Sequence, residues 1–66
     1  MNRELFLSKV RRADTTCAKL AESMNIDPTT LSFKINGKSE FTLGEVKEIT
    51  EKLKLSKADV NAIFFK

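Results

Sequence analysis

The stretch PTTLSFKINGK, Pro28 to Lys38, concentrates the side chains best suited to contact chemistry. In a helix each residue advances by about 100°. Setting Leu31 toward a core therefore turns Thr29 and Phe33 to within roughly 20° of the opposite direction, with Asn36 near them and Ser32 at the edge. Hydroxyls, an amide and an aromatic ring on one outward face can touch base edges, a thymine methyl or the phosphates of a duplex. Thr29, Ser32 and Phe33 are the candidate base-reading residues. Pro28 and Thr30 at the helix start, Asn36 at its end and Lys38 just beyond are candidates for the phosphates: the N–H groups of Thr29 and Thr30 lack helical partners, although Asp27 as cap takes some of that donor capacity, and an ammonium attracts an anion. The plainer alternative is an exposed amphipathic helix with ordinary polar residues, and these residues alone fit both.

Catalysis fits less well. The chain has one Cys and no His, so Cys17 lacks the base that would activate a nucleophile. A single thiol also excludes an internal disulfide and a Cys/His zinc site, and no glycine-rich phosphate loop is present. The expectation is a protein that is not an enzyme, with no metal and no cofactor. A lone free Cys agrees with a reducing, cytoplasmic setting. The opening MNRELFLSKVRR has only three consecutive apolar residues, Leu5 to Leu7, so neither a signal peptide nor a membrane span is expected.

The elements that must position the candidate face follow from periodicity and caps. A first helix is expected from about Arg3 to Ala13, with Phe6, Val10 and Ala13 on one face and Leu5 and Leu7 flanking it. Lys9, Arg11 and Arg12 lie off that stripe and serve either phosphates or solubility. Asp14-Thr15-Thr16 is a cluster of capping residues, so a second helix starts at about Cys17, with Cys17, Leu20, Ala21 and Met24 inward. Asn25 tolerates a left-handed backbone, Ile26 plugs the corner, and Asp27-Pro28 opens the third helix as cap and first residue. Asn36-Gly37 closes it. Thr42 and Glu45 form a capping box with Phe41 and Val46 as its hydrophobic staple, so a fourth helix begins there with Leu43, Val46, Ile49, Thr50 and Leu53 on one stripe. Glu48 and Lys52 make a surface pair four residues apart. Ser56 with Asp59, and Leu55 with Val60, repeat the start logic for a fifth helix that presents Val60, Ile63 and Phe64 inward. Phe65 is left on the flank, either as a dimer contact or as part of a frayed end.

Four segments together resemble the helix-turn-helix family of phage Cro and repressor proteins, particularly the small Cro-like proteins of Gram-positive phages and mobile elements. They are LAESMNI with Ala21, the DPTTLS entry, KINGKSEFT from Lys34 to Thr42, and IFF near the end. The resemblance covers nearly the whole chain. It implies an all-α, five-helix domain over residues 1–66 with the helix-turn-helix unit at about 16–37. Thr16 and Cys17 open that unit, where relatives meet a phosphate and often carry a Gln; a thiol donates poorly there. Asn25 replaces the usual turn glycine, and Lys34 stands where relatives are apolar, so its packing role passes to Ile35.

Charge is distributed in keeping with that implication. The net charge is +3, and residues 1–39 hold seven Lys/Arg against four Asp/Glu while residues 40–66 hold five of each. The excess lies in the part that carries the candidate face, as a phosphate-facing surface requires. The expected function is sequence-specific binding of double-stranded DNA, as a Cro-like transcriptional regulator or repressor that occupies an operator in the nucleoid of a bacterial host. A homodimer on a near-palindromic site is the expected form, and a chain of this length leaves no room for an effector domain, so no small-molecule ligand is expected. The alternative is a protein-interaction module, antitoxin-like or an antirepressor, on the same scaffold.

Overall fold

The structure, a computed structural model, describes residues 1–65. Among them the chain forms five helices and no strand: α1 Arg3–Arg12, α2 Cys17–Ser23, α3 Pro28–Ile35, α4 Leu43–Leu53 and α5 Lys57–Phe64. None is long and apolar enough to cross a membrane.

Every helix starts on a polar side chain that accepts a backbone N–H left over by the first turn. Asn2, Thr16, Asp27, Thr42 and Ser56 fill this position in turn. The boxes at Thr42/Glu45 and Ser56/Asp59 are both complete, each carboxylate also accepting the N–H of its cap residue.

Helices α1 to α4 end alike. A residue in the left-handed region follows or closes the helix: Asp14 at φ 56°, Asn25 at 59°, Gly37 at 82° and Lys54 at 53°. The next N–H then reaches back to a carbonyl in the last turn, Thr15 to Val10 at 3.3 Å, Ile26 to Ala21 at 3.0 Å, Lys38 to Phe33 at 2.9 Å and Leu55 to Thr50 at 2.9 Å. These are Schellman closures, which satisfy carbonyls that the helix itself cannot. At the end of α3 only Gly37 enters the left-handed region; Asn36 keeps φ −84° as the cap before it.

The helices enclose one apolar core, in which Phe6, Leu31, Ile49 and Ile63 are the largest fully buried side chains. Val10, Leu20, Ala21, Met24, Ile35, Leu53 and Leu55 complete it, with Ile26, Phe41, Val60 and Phe64 packed against its edge. Ala21 lets α2 and α3 approach closely, and it is fully buried. Phe6, Phe41 and Phe64 form an aromatic cluster with centroids 5.4–6.4 Å apart, two of the three contacts edge-on, as ring quadrupoles prefer. The N–H of Asn2 donates to the carbonyl of Ile63 at 2.8 Å, tying the start of α1 to α5.

Two expected core positions face solvent instead. Ala13 is the C-cap of α1, one position past its last helical residue, and the turn at Asp14 carries it outward. Leu43 is 80% exposed because it is the first residue of α4, where Phe41 has already closed the apolar corner from the preceding loop.

Candidate nucleic-acid interface

Helix α3 packs on α2 through Leu31 and Ile35 and turns its other side outward. Thr29, Thr30, Ser32, Phe33 and Asn36 are all exposed, with Phe33 at 48%. The Asp27 carboxylate accepts the Thr29 N–H at 2.8 Å, so that donor at the start of α3 is used within the protein. The Asn36 amide donates to the Ser32 hydroxyl at 3.3 Å, which presents the two as a linked pair. Lys38 is exposed, and its ammonium stands 5.5 Å from the centroid of the Phe33 ring.

Beside this face lies a cleft of about 140 Å³ where three helices meet. Arg3 and Leu7 come from α1, Cys17 and Ala18 from α2, and Pro28, Ser32, Ile35 and Asn36 from α3. The fold thus brings Cys17, Pro28, Ser32 and Asn36 together, with Thr16 next in the chain. The Thr16 hydroxyl oxygen accepts the Lys19 N–H at 3.1 Å, leaving its own proton free to donate. Cys17 is half-buried. Burial pushes its thiol up from the ordinary value, against the opposing pull of the Arg3 charge, so it stays a neutral thiol at neutral pH.

Arg3 is absent from the candidates that the sequence suggests, yet it is a cation of α1 that lies beside this face. A signal for it exists: Arg3 precedes Leu7 by four positions and so shares its side of the helix. Two other α1 cations are placed differently. Lys9 pairs with Asp59 at 3.3 Å. Arg12 lines a separate cleft of about 480 Å³, with Asp14, Lys52 and Lys54, to which α3 contributes no residue.

Lys34 also departs from expectation. Ile35 is buried as anticipated, but the Lys34 side chain is only 11% exposed, so both pack. Its ammonium is paired with Glu45 at 3.1 Å, donates to the Glu40 carbonyl at 3.0 Å and lies 5.9 Å from the Phe41 ring. Lys34 is therefore a tie between α3 and the start of α4 rather than a free cation.

Phe65 does not line the cleft beside the α3 face. It is 61% exposed and borders a cleft of about 420 Å³ with Met1, Phe41, Val46 and Phe64 as apolar walls. Lys34 of α3 and Gly37 and Ser39 of the loop after it line the same cleft, whereas Phe33, Ser32 and Asn36 do not.

No protein-family model, curated protein or solved structure matches the chain.

Proposed function

We propose that the protein binds double-stranded DNA in a sequence-specific manner, through a helix-turn-helix made by α2, the Asn25 turn and α3, and that it acts as a transcriptional regulator of the Cro and repressor type. One observation carries the reading. The outward side of α3 presents hydroxyls, an amide and a ring with no packing role, bordered by Arg3 and Lys38 and by the free hydroxyl proton of Thr16. That is the combination of base-contacting and phosphate-contacting groups a reading helix requires.

Helix α3 has eight residues and is about 12 Å long, enough for only a few base pairs at about 3.4 Å each. The molecule extends 27 Å at most, less than the roughly 34–36 Å between half-sites one turn apart. A homodimer on a near-palindromic site is therefore the form we assign, with Phe65 and its neighbours as the candidate contact between copies. Occupying an operator excludes polymerase or a competing protein, and no catalysis or small-molecule effector is invoked.

A second reading, a protein-interaction module of the antitoxin or antirepressor kind, is favoured by exposed Phe65 and Met1 around one cleft. Enrichment of bound sequences from random duplex DNA at two salt concentrations separates the two. The DNA reading predicts one enriched motif that persists at the higher salt; a random pool after enrichment contradicts it.

A further inference from the structure

The Schellman closure of α3 does something the other three do not. In each, the residue after the left-handed position is brought against the residue five places earlier. Leu55 is buried and Ile26 half-buried where this happens in α4 and α2. In α3 the pair is Lys38 and Phe33, joined by the 2.9 Å backbone hydrogen bond, and both side chains are exposed. The apolar contact that usually accompanies the motif is replaced by an ammonium 5.5 Å from a ring centroid, within the range at which a cation is attracted to a ring face. Gly37 at φ 82° makes this placement possible.

We infer that Phe33 and Lys38 form one recognition unit for a 5-methylpyrimidine and its flanking phosphate. The ring, 48% exposed, offers an apolar surface to a C5 methyl in the major groove, the one apolar group by which thymine is marked there. The ammonium, already held over the ring, meets the phosphate with less side-chain freedom to lose, which is the usual benefit of preorganisation. Phe33 is thus both a contact residue and a positioning residue for Lys38. The unit rests on the DNA-binding reading above.

The test uses the full chain and the duplex enriched from a random pool, with thymines replaced one at a time by uracil, which removes only the methyl. For the wild type, one replacement per half-site weakens binding by about fourfold, the worth of one buried methyl group. The same replacement leaves binding by Phe33→Ala unchanged. Lys38→Ala weakens binding to all sequences, and this effect is about two- to fivefold smaller in a Phe33→Ala background, as an exposed cation–ring contact implies. Phe33→Leu keeps the discrimination between thymine and uracil but abolishes the coupling to Lys38, and Phe33→Tyr restores it. In the protein without DNA, the Lys38 side-chain proton resonances lie upfield because of the ring, and Phe33→Leu returns them to ordinary positions. Independent effects of uracil and Phe33→Ala, or a Lys38 effect indifferent to the ring, overturn the unit. A wild type that enriches no sequence refutes the DNA-binding reading instead, while the resonance shifts still report whether ring and ammonium are together.

Discussion

The Lys34 ammonium lies 3.1 Å from Glu45 Oε1, the same oxygen that accepts the Thr42 N–H at 2.8 Å. One carboxylate thereby closes the first turn of α4 and anchors α3 to it. Asp59 repeats the arrangement at the start of α5, accepting the Ser56 N–H at 3.1 Å on one oxygen and pairing with Lys9 of α1 at 3.3 Å on the other. Negative charge is favoured at a helix N-terminus, and here each such charge also fixes a neighbouring helix. The Lys34 pair ties α3, which carries the candidate reading face, to the start of α4.

Removing the cap of α4 tests the first half of this arrangement. Thr42→Ala is expected to destabilise the protein by about 1 kcal/mol. Phe41→Ala, which opens the aromatic cluster, should cost more, about 2–3 kcal/mol for a half-buried ring. Thermal melts of both variants check this; equal midpoints for Phe41→Ala and the wild type would mean that the cluster contributes nothing.

Acid should loosen both anchors. Burial works to raise the Glu45 carboxyl, but the Thr42 backbone hydrogen bond and Lys34 together outweigh it and hold the group below its ordinary value near 4.5. The Ser56 backbone hydrogen bond is the main cause that holds Asp59 below its ordinary value near 3.8, helped by Lys9. A group depressed on folding adds stability above its unfolded value and loses it as the pH falls through the folded one. Melting temperature is therefore expected to decline below about pH 4.5, and Glu45→Gln to start lower at neutral pH but fall less steeply. Parallel curves for the two proteins between about pH 5 and 3 would contradict the assignment.

The four left-handed helix ends give a prediction of opposite sign. Lys54 holds positive φ with a Cβ present, at a cost of roughly 1–2 kcal/mol that glycine avoids. Lys54→Gly should raise stability by about 0.5–1 kcal/mol after the extra freedom of unfolded glycine is deducted. Gly37→Ala should lower it by about 1 kcal/mol; a Cβ there meets nothing within 4 Å, so the effect is purely backbone strain. Denaturant titrations of the two variants decide the point, and a stabilised Gly37→Ala would sink it.

Arg3 and Arg12 separate the two surfaces. Arg3→Ala should weaken binding to all duplexes alike and reduce the slope of log K against log salt by about one, since one phosphate is no longer neutralised. Arg12→Ala, on the cleft to which α3 contributes nothing, should leave the slope unchanged. Equal slopes for the two variants would remove Arg3 from the interface.

The patch around Phe65 is tested by sedimentation at increasing concentration. A weak self-association that Phe65→Ser abolishes is expected. A strict monomer at the highest concentration, with and without DNA, excludes this contact between copies.

The starts of α2 to α5 are legible in the sequence because a cap is a local device: Thr42-Glu45 and Ser56-Asp59 announce themselves within four residues, whereas α1 is read from its apolar spacing and its cap, Asn2, is not. The ends are less so. Asn25, Gly37 and Asp14 are residue types that enter the left-handed region readily, but nothing in the identity of Lys54 singles it out, since there the closing hydrogen bond outweighs the side-chain preference. Spacing alone turns Leu43 inward, although the first residue of a helix precedes the turn that defines the buried stripe. The outward direction of Phe33 follows from Leu31 and Ile35 alone. The proximity of Arg3 to Cys17, and of Lys34 to Glu45, depends on how helices cross, which periodicity within one helix does not contain.

The central claim is that the outward side of α3 meets duplex DNA, and a backbone amide titration with the enriched duplex tests it most directly. The expected result is shifts at Thr29 to Phe33, at Asn36 to Lys38, and at Arg3 and Thr16, with the resonances of Met1, Val46 and Phe64, which border the candidate contact between copies, unmoved on a duplex cut down to a single half-site. Shifts confined to the cleft of Met1, Phe41, Phe64 and Phe65, or none at all, would contradict it.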